Sequence, residues 1–432
     1  MPNGVKVHVL NVGQGMGNFI EVYGDGLDKP PTKTFIYDLG SEKGKATFGP
    51  PAIEFIINRL KAMATPRIDL ITFSHGDKDH WNLFRDLIGE CDEKLPDLQY
   101  GDVYFGGCKD QYDYGSSVYN VLGDLEKRKA SIQGPFPDAA SDFYQKIGSS
   151  WRCLANLDGL IVRLLLANVD EGIVLSDSST YSEFSNKNSV SAVVVCEYAD
   201  NRFILTGDAT GLTISKINAL IKQQGISDQV NNTFLMIVPH HGSAVTLKYE
   251  GDYAAAQTFA TYCDANSIAA SADFRIGFFH PDYAMLQIFC NPKLFVPMPL
   301  QIGTGGYTPP NTEANYPDHL YVAYNKSGWD TYKTQENIYT TQYSSSSPVG
   351  VWTFTVDESG AKTTERIPDE ALAAISPLQT CIGTAREIAR QQAYRGPSSS
   401  TPVNTSNMSP VYKVLRKKRA PGSDVGMYPP KQ

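Results

Sequence analysis

Ile68-Asp69-Leu70-Ile71-Thr72-Phe73-Ser74-His75-Gly76-Asp77-Lys78-Asp79-His80 runs from a short apolar stretch into a cluster of metal-binding side chains. Ile68 to Phe73 reads as a buried strand. His75, Asp77, Asp79 and His80 follow within six positions of one another. A loop leaving a strand end can turn several ligands toward one point, and a helix is not expected to do so at this spacing. Imidazole nitrogens combined with carboxylate oxygens suit Zn2+, Mn2+ or Fe. The plain alternative is a solvated polar loop, which explains one His and one Asp better than it explains four chelating groups together.

Two more such pieces end apolar strands. Phe203-Ile204-Leu205-Thr206-Gly207-Asp208 sets a carboxylate just past a strand, and Met236-Ile237-Val238-Pro239-His240-His241-Gly242-Ser243 sets two imidazoles in the same kind of place. Alone, Asp208 reads as the N-cap of the helix that follows, and the His pair as a satisfied polar cluster. Three strand-end clusters in one chain make a shared metal centre the simpler account.

Around these pieces, strands are expected at Val5 to Val12, Asn18 to Tyr23, Thr34 to Asp38, Val103 to Phe105, Leu160 to Leu166, Val190 to Glu197, Arg202 to Leu205, Thr233 to Val238 and Ile268 to Ala272. Helices are expected at Pro51 to Met63, Thr213 to Gln224, Tyr253 to Cys263 and Tyr283 to Cys290. A β-rich coda follows, at Asn337 to Gln342 and Val351 to Val356. Two batches of strands, each followed by helices, predict an α/β sandwich with two sheets inside and helices outside.

The motifs resemble the metallo-β-lactamase superfamily, and within it the soluble domain of ComEC-type DNA-uptake proteins. The resemblance rests on Val12-Gly13-Gln14-Gly15, Asp38-Leu39-Gly40, Ser74 to His80, Leu205-Thr206-Gly207-Asp208, Pro239 to Ser243 and His280-Pro281, in that order over Val5 to Gly360. It implies a four-layered αββα sandwich over 1–365, with an insertion at about 111–148. A helical segment at 366–395 and a flexible Ser/Thr/Pro-rich basic tail at 396–432 would follow. Met16-Gly17-Asn18 stands where the branch has an Asp after Gly-Gln-Gly, and Asn82 where a Gly is common. The wider superfamily also has a ligand His between the first cluster and the bridging Asp; no His lies between His80 and His240 here.

The resemblance implies one or two divalent ions, Zn2+ or Mn2+, with Asp77 in place of an imidazole favouring the harder ion. His75 and Asp77 would hold one ion, Asp79 and His80 the other, with Asp208 bridging. His240 or His241 would complete a site, and His280 joins the candidate ligands. Asp38 would orient a ligand by hydrogen bonding. Asp79, Asp208, His241 and Ser243 are the candidate catalytic set, Ser243 as a holder of a phosphate oxygen. Lys78 reads as solvated, His8 as a surface residue beside Lys6, and His319 as part of a loop.

The implied activity is that of a metal-dependent phosphodiesterase, a nuclease cleaving DNA with metal-activated hydroxide. Two alternatives stay open: hydrolysis of small nucleotides or another small ester, and a metal-bound binding or scaffold subunit of a multi-protein system such as anti-phage defence. Composition bears on partners. Gly396 to Gln432 holds Lys413, Arg416, Lys417, Lys418, Arg419 and Lys431 against Asp424, so it carries +5 and leaves −13 on the rest of a chain of net charge −8. An acidic body does not fit a protein that coats duplex DNA, while 24 Tyr and 19 Phe would permit stacking on single strands. The tail is a candidate segment for protein partners, with a solvated tail as the plain alternative. No apolar stretch approaches the ~20 residues of a spanning helix, and the start lacks the pattern of a signal peptide. Seven scattered Cys without a CxxC read as reduced thiols of a cytoplasmic protein. Removing residues 396–432 is expected to leave metal uptake and cleavage of a short substrate unchanged, as read by metal analysis and an oligonucleotide assay.

Overall fold

Val5, Val7 and Val9 share one core face, while Leu10 and Val12 belong to the other. That two-sided apolar pattern marks a sheet covered on both faces. The computed structural model describes residues 3–42, 45–107, 115–139, 141–144, 153–169, 188–272, 280–290, 319–323, 329–333, 337–341 and 351–367. In chain order the strands are β1 (Gly4–Leu10), β2 (Gly17–Tyr23), β3 (Lys33–Leu39), β4 (Arg67–Phe73), β5 (Gln99–Phe105), β6 (Ser131–Pro135), β7 (Cys153–Leu157), β8 (Leu160–Leu166) and β9 (Val193–Tyr198). They continue with β10 (Asn201–Leu205), β11 (Thr233–Ile237), β12 (Ser267–Ala270), β13 (His319–Ala323), β14 (Trp329–Lys333), β15 (Ile338–Thr340), β16 (Val351–Asp357) and β17 (Lys362–Ile367). The helices are α1 (Lys45–Lys61), α2 (Lys78–Lys94), α3 (Gly115–Lys127), α4 (Gly211–Gln224), α5 (Ala254–Cys263) and α6 (Tyr283–Phe289).

One sheet runs β17-β16-β1-β2-β3-β4-β5-β6 and the other β15-β12-β11-β10-β9-β8-β7. Phe35 and Tyr37 of the first sheet share a core with Val194, Leu205 and Ile237 of the second, so the sheets pack face to face. Ile53, Ile56 and Leu60 of α1, with Phe84 and Leu87 of α2 and Leu122 of α3, cover the outer face of the first sheet. Ile214 and Ile217 of α4, Phe259 of α5 and Leu286 of α6 pack on the second. This is the expected four-layered αββα sandwich. β3, β4, β5 and β6 run parallel, as do β10, β11, β12 and β15. The candidate metal-binding motifs leave the C-terminal ends of these parallel strands, where a sheet of this kind opens a crevice.

Several expectations are corrected. The His75 to His80 stretch is not all loop, because Lys78, Asp79 and His80 form the first turn of α2. That helix buries Trp81, Phe84, Leu87, Ile88 and Cys91 on one face, a helical spacing that sequence reading passed over. Helix α1 begins at Lys45 and contains Pro50 and Pro51 rather than starting after them. The stretch expected as an insertion carries α3 and then β6, which pairs in parallel with β5; its residues 111–114, 140 and 145–148 lie outside the described residues. His319 opens β13, paired with β14, instead of sitting in a loop. Arg366 and Ile367 close β17, and the expected helix and tail from 368 onward lie outside the described residues. Among the described residues no helix is long and apolar enough to cross a membrane.

His8 is not at the surface either. It is 2 % exposed, with Nε2 2.8 Å from Glu21 Oε2 and Nδ1 2.9 Å from Thr353 Oγ1. Phe19 and Phe55 flank its ring. Tyr23 donates to Glu21 Oε2 and Arg59 to Glu21 Oε1, each at 2.8 Å. The polar alternation of β1 therefore faces α1 rather than water, and this network satisfies it. Burial alone would raise the Glu21 carboxyl; the His8 hydrogen bond and the Arg59 charge outweigh it and hold it at about 2. A carboxyl depressed below its unfolded value stabilises the fold above that value and stops doing so as pH falls through the folded one. Glu21→Gln is expected to flatten the loss of stability between about pH 4.5 and pH 2, and Glu21→Ala to cost roughly 3–5 kcal/mol near neutrality, both read by denaturant unfolding.

Candidate metal centre

Asp208 lies three residues beyond β10 and is 3 % exposed. It does not cap α4: Thr210 does, in a reciprocal capping box with Thr213. The Asp208 carboxylate is instead surrounded by imidazoles. Oδ1 is 3.1 Å from His80 Nε2 and 3.5 Å from His241 Nε2, and Oδ2 is 3.4 Å from His240 Nε2 and 3.9 Å from His75 Nε2. Asp79 Oδ2 lies 3.6 Å from His241 Nε2, and Asp77 Oδ2 lies 3.7 Å from His75 Nε2. Asp77 is the N-cap of α2, yet its side chain makes no capping bond, so its carboxylate is free to face His75.

The donors form two sets of three with ligand atoms within 4.8 Å of one another: His75, His80 and Asp208, and Asp79, His80 and His241. His80 thus belongs to both, where the resemblance had given it to one ion only. Asp77 and His240 stand beside these sets. The His280 ring centre is 6.0 Å from that of His240 and 6.4 Å from that of His241, a neighbour outside both sets. Ser243 is buried, and its backbone N–H donates to the His240 carbonyl at 2.9 Å. Lys78 is exposed.

Hydrogen bonds fix the rings from behind. Asp38 Oδ2 lies 2.8 Å from His80 Nδ1, and the same carboxylate accepts from Ser74 N and Ser74 Oγ at 2.7 and 2.6 Å. His241 Nδ1 donates to the Ser271 carbonyl at 2.5 Å. Each bond assigns the proton to Nδ1 and leaves Nε2 facing the cluster. The backbone is strained to achieve this. Asp38, His240 and His241 all have positive φ, at 56°, 47° and 55°, a conformation held only where surroundings over-determine it. Gly40 is required by packing: a Cβ there would lie 2.4–2.5 Å from backbone atoms of Asp79, His80 and Trp81.

The fit to a cation is physical. His75 Nε2, His80 Nε2, His241 Nε2 and Asp208 Oδ1 are buried and lack a hydrogen-bond partner. Buried polar atoms of this kind are rare without a ligand to satisfy them. Burial works against charge on each group, but Asp208 and Asp38 together hold the His80 imidazole well above its ordinary pKa. Against the same burial, His240, His80 and His241 hold Asp208 well below the carboxylate range, and His241 beside Asp79 holds that carboxyl at about 2. Burial pushes His240 down, whereas Asp208 and Asp79 overcome it at His241 and push that ring up. Because imidazole nitrogens ligate a cation only when unprotonated, uptake of a divalent ion here would compete with protons.

Sequence reading missed Ser271, Asn188 and Ser191. Asn188 Nδ2 stands 3.3 Å from both ring nitrogens of His240, and Ser191 Oγ accepts from Asp208 N at 3.2 Å. No local motif marks these residues; only the packing of the second sheet brings them here.

No protein-family model and no curated protein matches the chain. Solved structures that match it include the metallo-beta-lactamase fold protein YhfI from Bacillus subtilis, at 12% identity and TM-score 0.34 over 62% of this chain and 85% of that one. The short form of human tRNase Z matches at 13% identity and TM-score 0.33, over 61% of this chain and 90% of that one. A diphosphatase from the PhnP family matches at 10% identity and TM-score 0.31, over 62% and 86%.

Asp38→Ala removes the acceptor behind His80 and is expected to weaken metal affinity about 10–100-fold. Competition with a chromogenic chelator measures it.

Proposed function

We propose that the chain is a metal-dependent phosphodiesterase of the metallo-β-lactamase superfamily, a nuclease of the ComEC-type branch that cleaves DNA. The observation that carries this reading is the set of three buried imidazole nitrogens and one buried carboxylate oxygen, none with a hydrogen bond, converging at strand ends around Asp208. One or two divalent ions bound there would supply Lewis-acid stabilisation of a phosphoryl transition state and an activated water. His75, Asp77, Asp208 and His240 would hold one side, with two carboxylates and two imidazoles, and Asp77 in place of an imidazole makes Mn2+ a competitor to Zn2+ there. Asp79, His80, His241 and Asp208 would hold the other.

The rest of the site positions these groups. Asp38 and the Ser271 carbonyl keep the His80 and His241 protons on Nδ1. Ser243 and the backbone beside Gly242 are the groups we assign to a phosphate oxygen. The acidic body of the chain limits the cationic contacts available to duplex DNA, so single strands are the favoured form. Cys91, Cys153, Cys196 and Cys263 form no disulfide, in keeping with a cytoplasmic setting, and the basic tail is the segment we assign to protein partners.

The purified chain is expected to cut single-stranded DNA in Mn2+ or Zn2+. Asp79→Ala and His80→Ala should each lower the rate by at least about 100-fold and reduce bound metal. Activity that survives both substitutions overturns the metal site. Cleavage of dinucleotides with single-stranded and plasmid DNA left intact overturns the DNA assignment alone.

A further inference from the structure

Three imidazoles of the centre have their outer ring nitrogen engaged: His80 by Asp38, His241 by the Ser271 carbonyl, and His75 Nδ1 by Ser74 Oγ at 3.1 Å. His240 has an amide neighbour. Asn188 Nδ2 stands 3.3 Å from both His240 Nδ1 and Nε2, while His240 Nε2 faces Asp208 Oδ2 at 3.4 Å. Asn188 is 3 % exposed, and its Oδ1 is buried without a hydrogen-bond partner. Its backbone is tied to the site, because its carbonyl accepts from Ser191 N at 3.0 Å and Ser191 Oγ in turn accepts from Asp208 N.

A carboxamide NH2 only donates and its oxygen only accepts, and a neutral imidazole has one N–H and one lone pair. With NH2 toward His240, the nitrogen receiving it is unprotonated. When that nitrogen is Nδ1, the proton sits on Nε2 and points at the Asp208 carboxylate, which accepts it. A ring that ligates a cation through Nε2 needs the other tautomer. Nε2 gives its proton to solvent and Nδ1 takes one up, so the ring stays neutral. NH2 would then oppose Nδ1–H, donor against donor, in a part-buried place where that clash is costly. A half-turn of the carboxamide ends the conflict by bringing Oδ1 to Nδ1–H. No hydrogen bond holds Oδ1 where it is, so the half-turn breaks none at that atom.

We propose that Asn188 is the positioning residue of His240, turning its carboxamide over when a cation binds and holding His240 as the Nδ1–H tautomer with Nε2 presented beside Asp208. This rests on the reading of the site as a metal centre, and it gives His240 a ligand role on the His75 side. Neither the local sequence around Asn188 nor its distance along the chain from His240 marks the pair.

The test uses the full chain with 15N-labelled histidine, before and after addition of Zn2+, with His240 assigned by comparison with His240→Gln. The expected result is Nε2–H without the ion and Nδ1–H with it. In chelator competition Asn188→Ala should weaken one bound ion 10–100-fold and leave the other unchanged. Asn188→Asp, which keeps an acceptor, should stay within about threefold of the parent, against that 10–100-fold loss. Nε2–H in the Zn2+-loaded parent overturns the proposal, as does Asn188→Ala binding like the parent or Asn188→Asp binding as weakly as Asn188→Ala. If Asn188→Ala does not fold, the parent spectra decide. A parent that takes up no ion overturns the metal-centre reading itself. A parent that binds ions with the expected tautomer but cleaves no phosphodiester supports this inference and overturns the proposed activity.

Discussion

A carboxylate buried at Asp208 is the constraint around which the rest is arranged. An ionised group out of water needs close compensation, and four imidazole nitrogens lie within 3.1–3.9 Å of it. They come from both sheets: His75 and His80 from the end of β4 and the start of α2, His240 and His241 from the end of β11. The sandwich is joined at this edge by further bonds. Tyr37 donates to the Ala192 carbonyl, Ala192 N to the Ser74 carbonyl, and Ser271 Oγ to the Gly15 carbonyl. The site and the seam between the sheets are therefore one structure, and loosening either would move the imidazoles around Asp208.

Three residues of the site hold left-handed backbone. Successive left-handed residues at His240 and His241 turn both rings back toward Asp208, at a cost of order 1–3 kcal/mol each. The turn is held by His240 N donating to Gly207 O and Ser243 N to His240 O. Gly207, itself at φ 53°, has no room for a Cβ beside Ser74. Asp38 accepts three bonds in a similarly unfavourable conformation. Protein backbones keep such conformations where the geometry of a site outweighs local preference.

The two departures from the ComEC-type pattern have structural work to do. Met16 is buried, its N–H donates to the Asp79 carbonyl, and its own carbonyl accepts from Gly40 N. The turn thus seats the start of α2 with backbone bonds and an apolar side chain. Asn82 accepts from Ser41 N and donates to Ser41 O, clamping the loop after β3 to α2. Both stiffen the floor beneath Asp79 and His80 without adding a charge to it.

The layered architecture, most strands, and the candidate ligands that gather around Asp208 could be read from the sequence, because apolar periodicity and clustered His and Asp are local signals. Helix α2 was hidden by the ligand cluster at its own first turn, where a metal-binding reading outweighed the spacing of Trp81, Phe84 and Leu87. His8 was misplaced because alternation says which face a side chain takes, not whether α1 covers that face. What the tertiary structure alone decided are the partnerships: His80 shared by both donor sets, His241 with Ser271, His240 with Asn188. The last two join residues 30 and 52 positions apart, and hydrogen bonds of a few ångströms between distant segments exist only once the two sheets have packed.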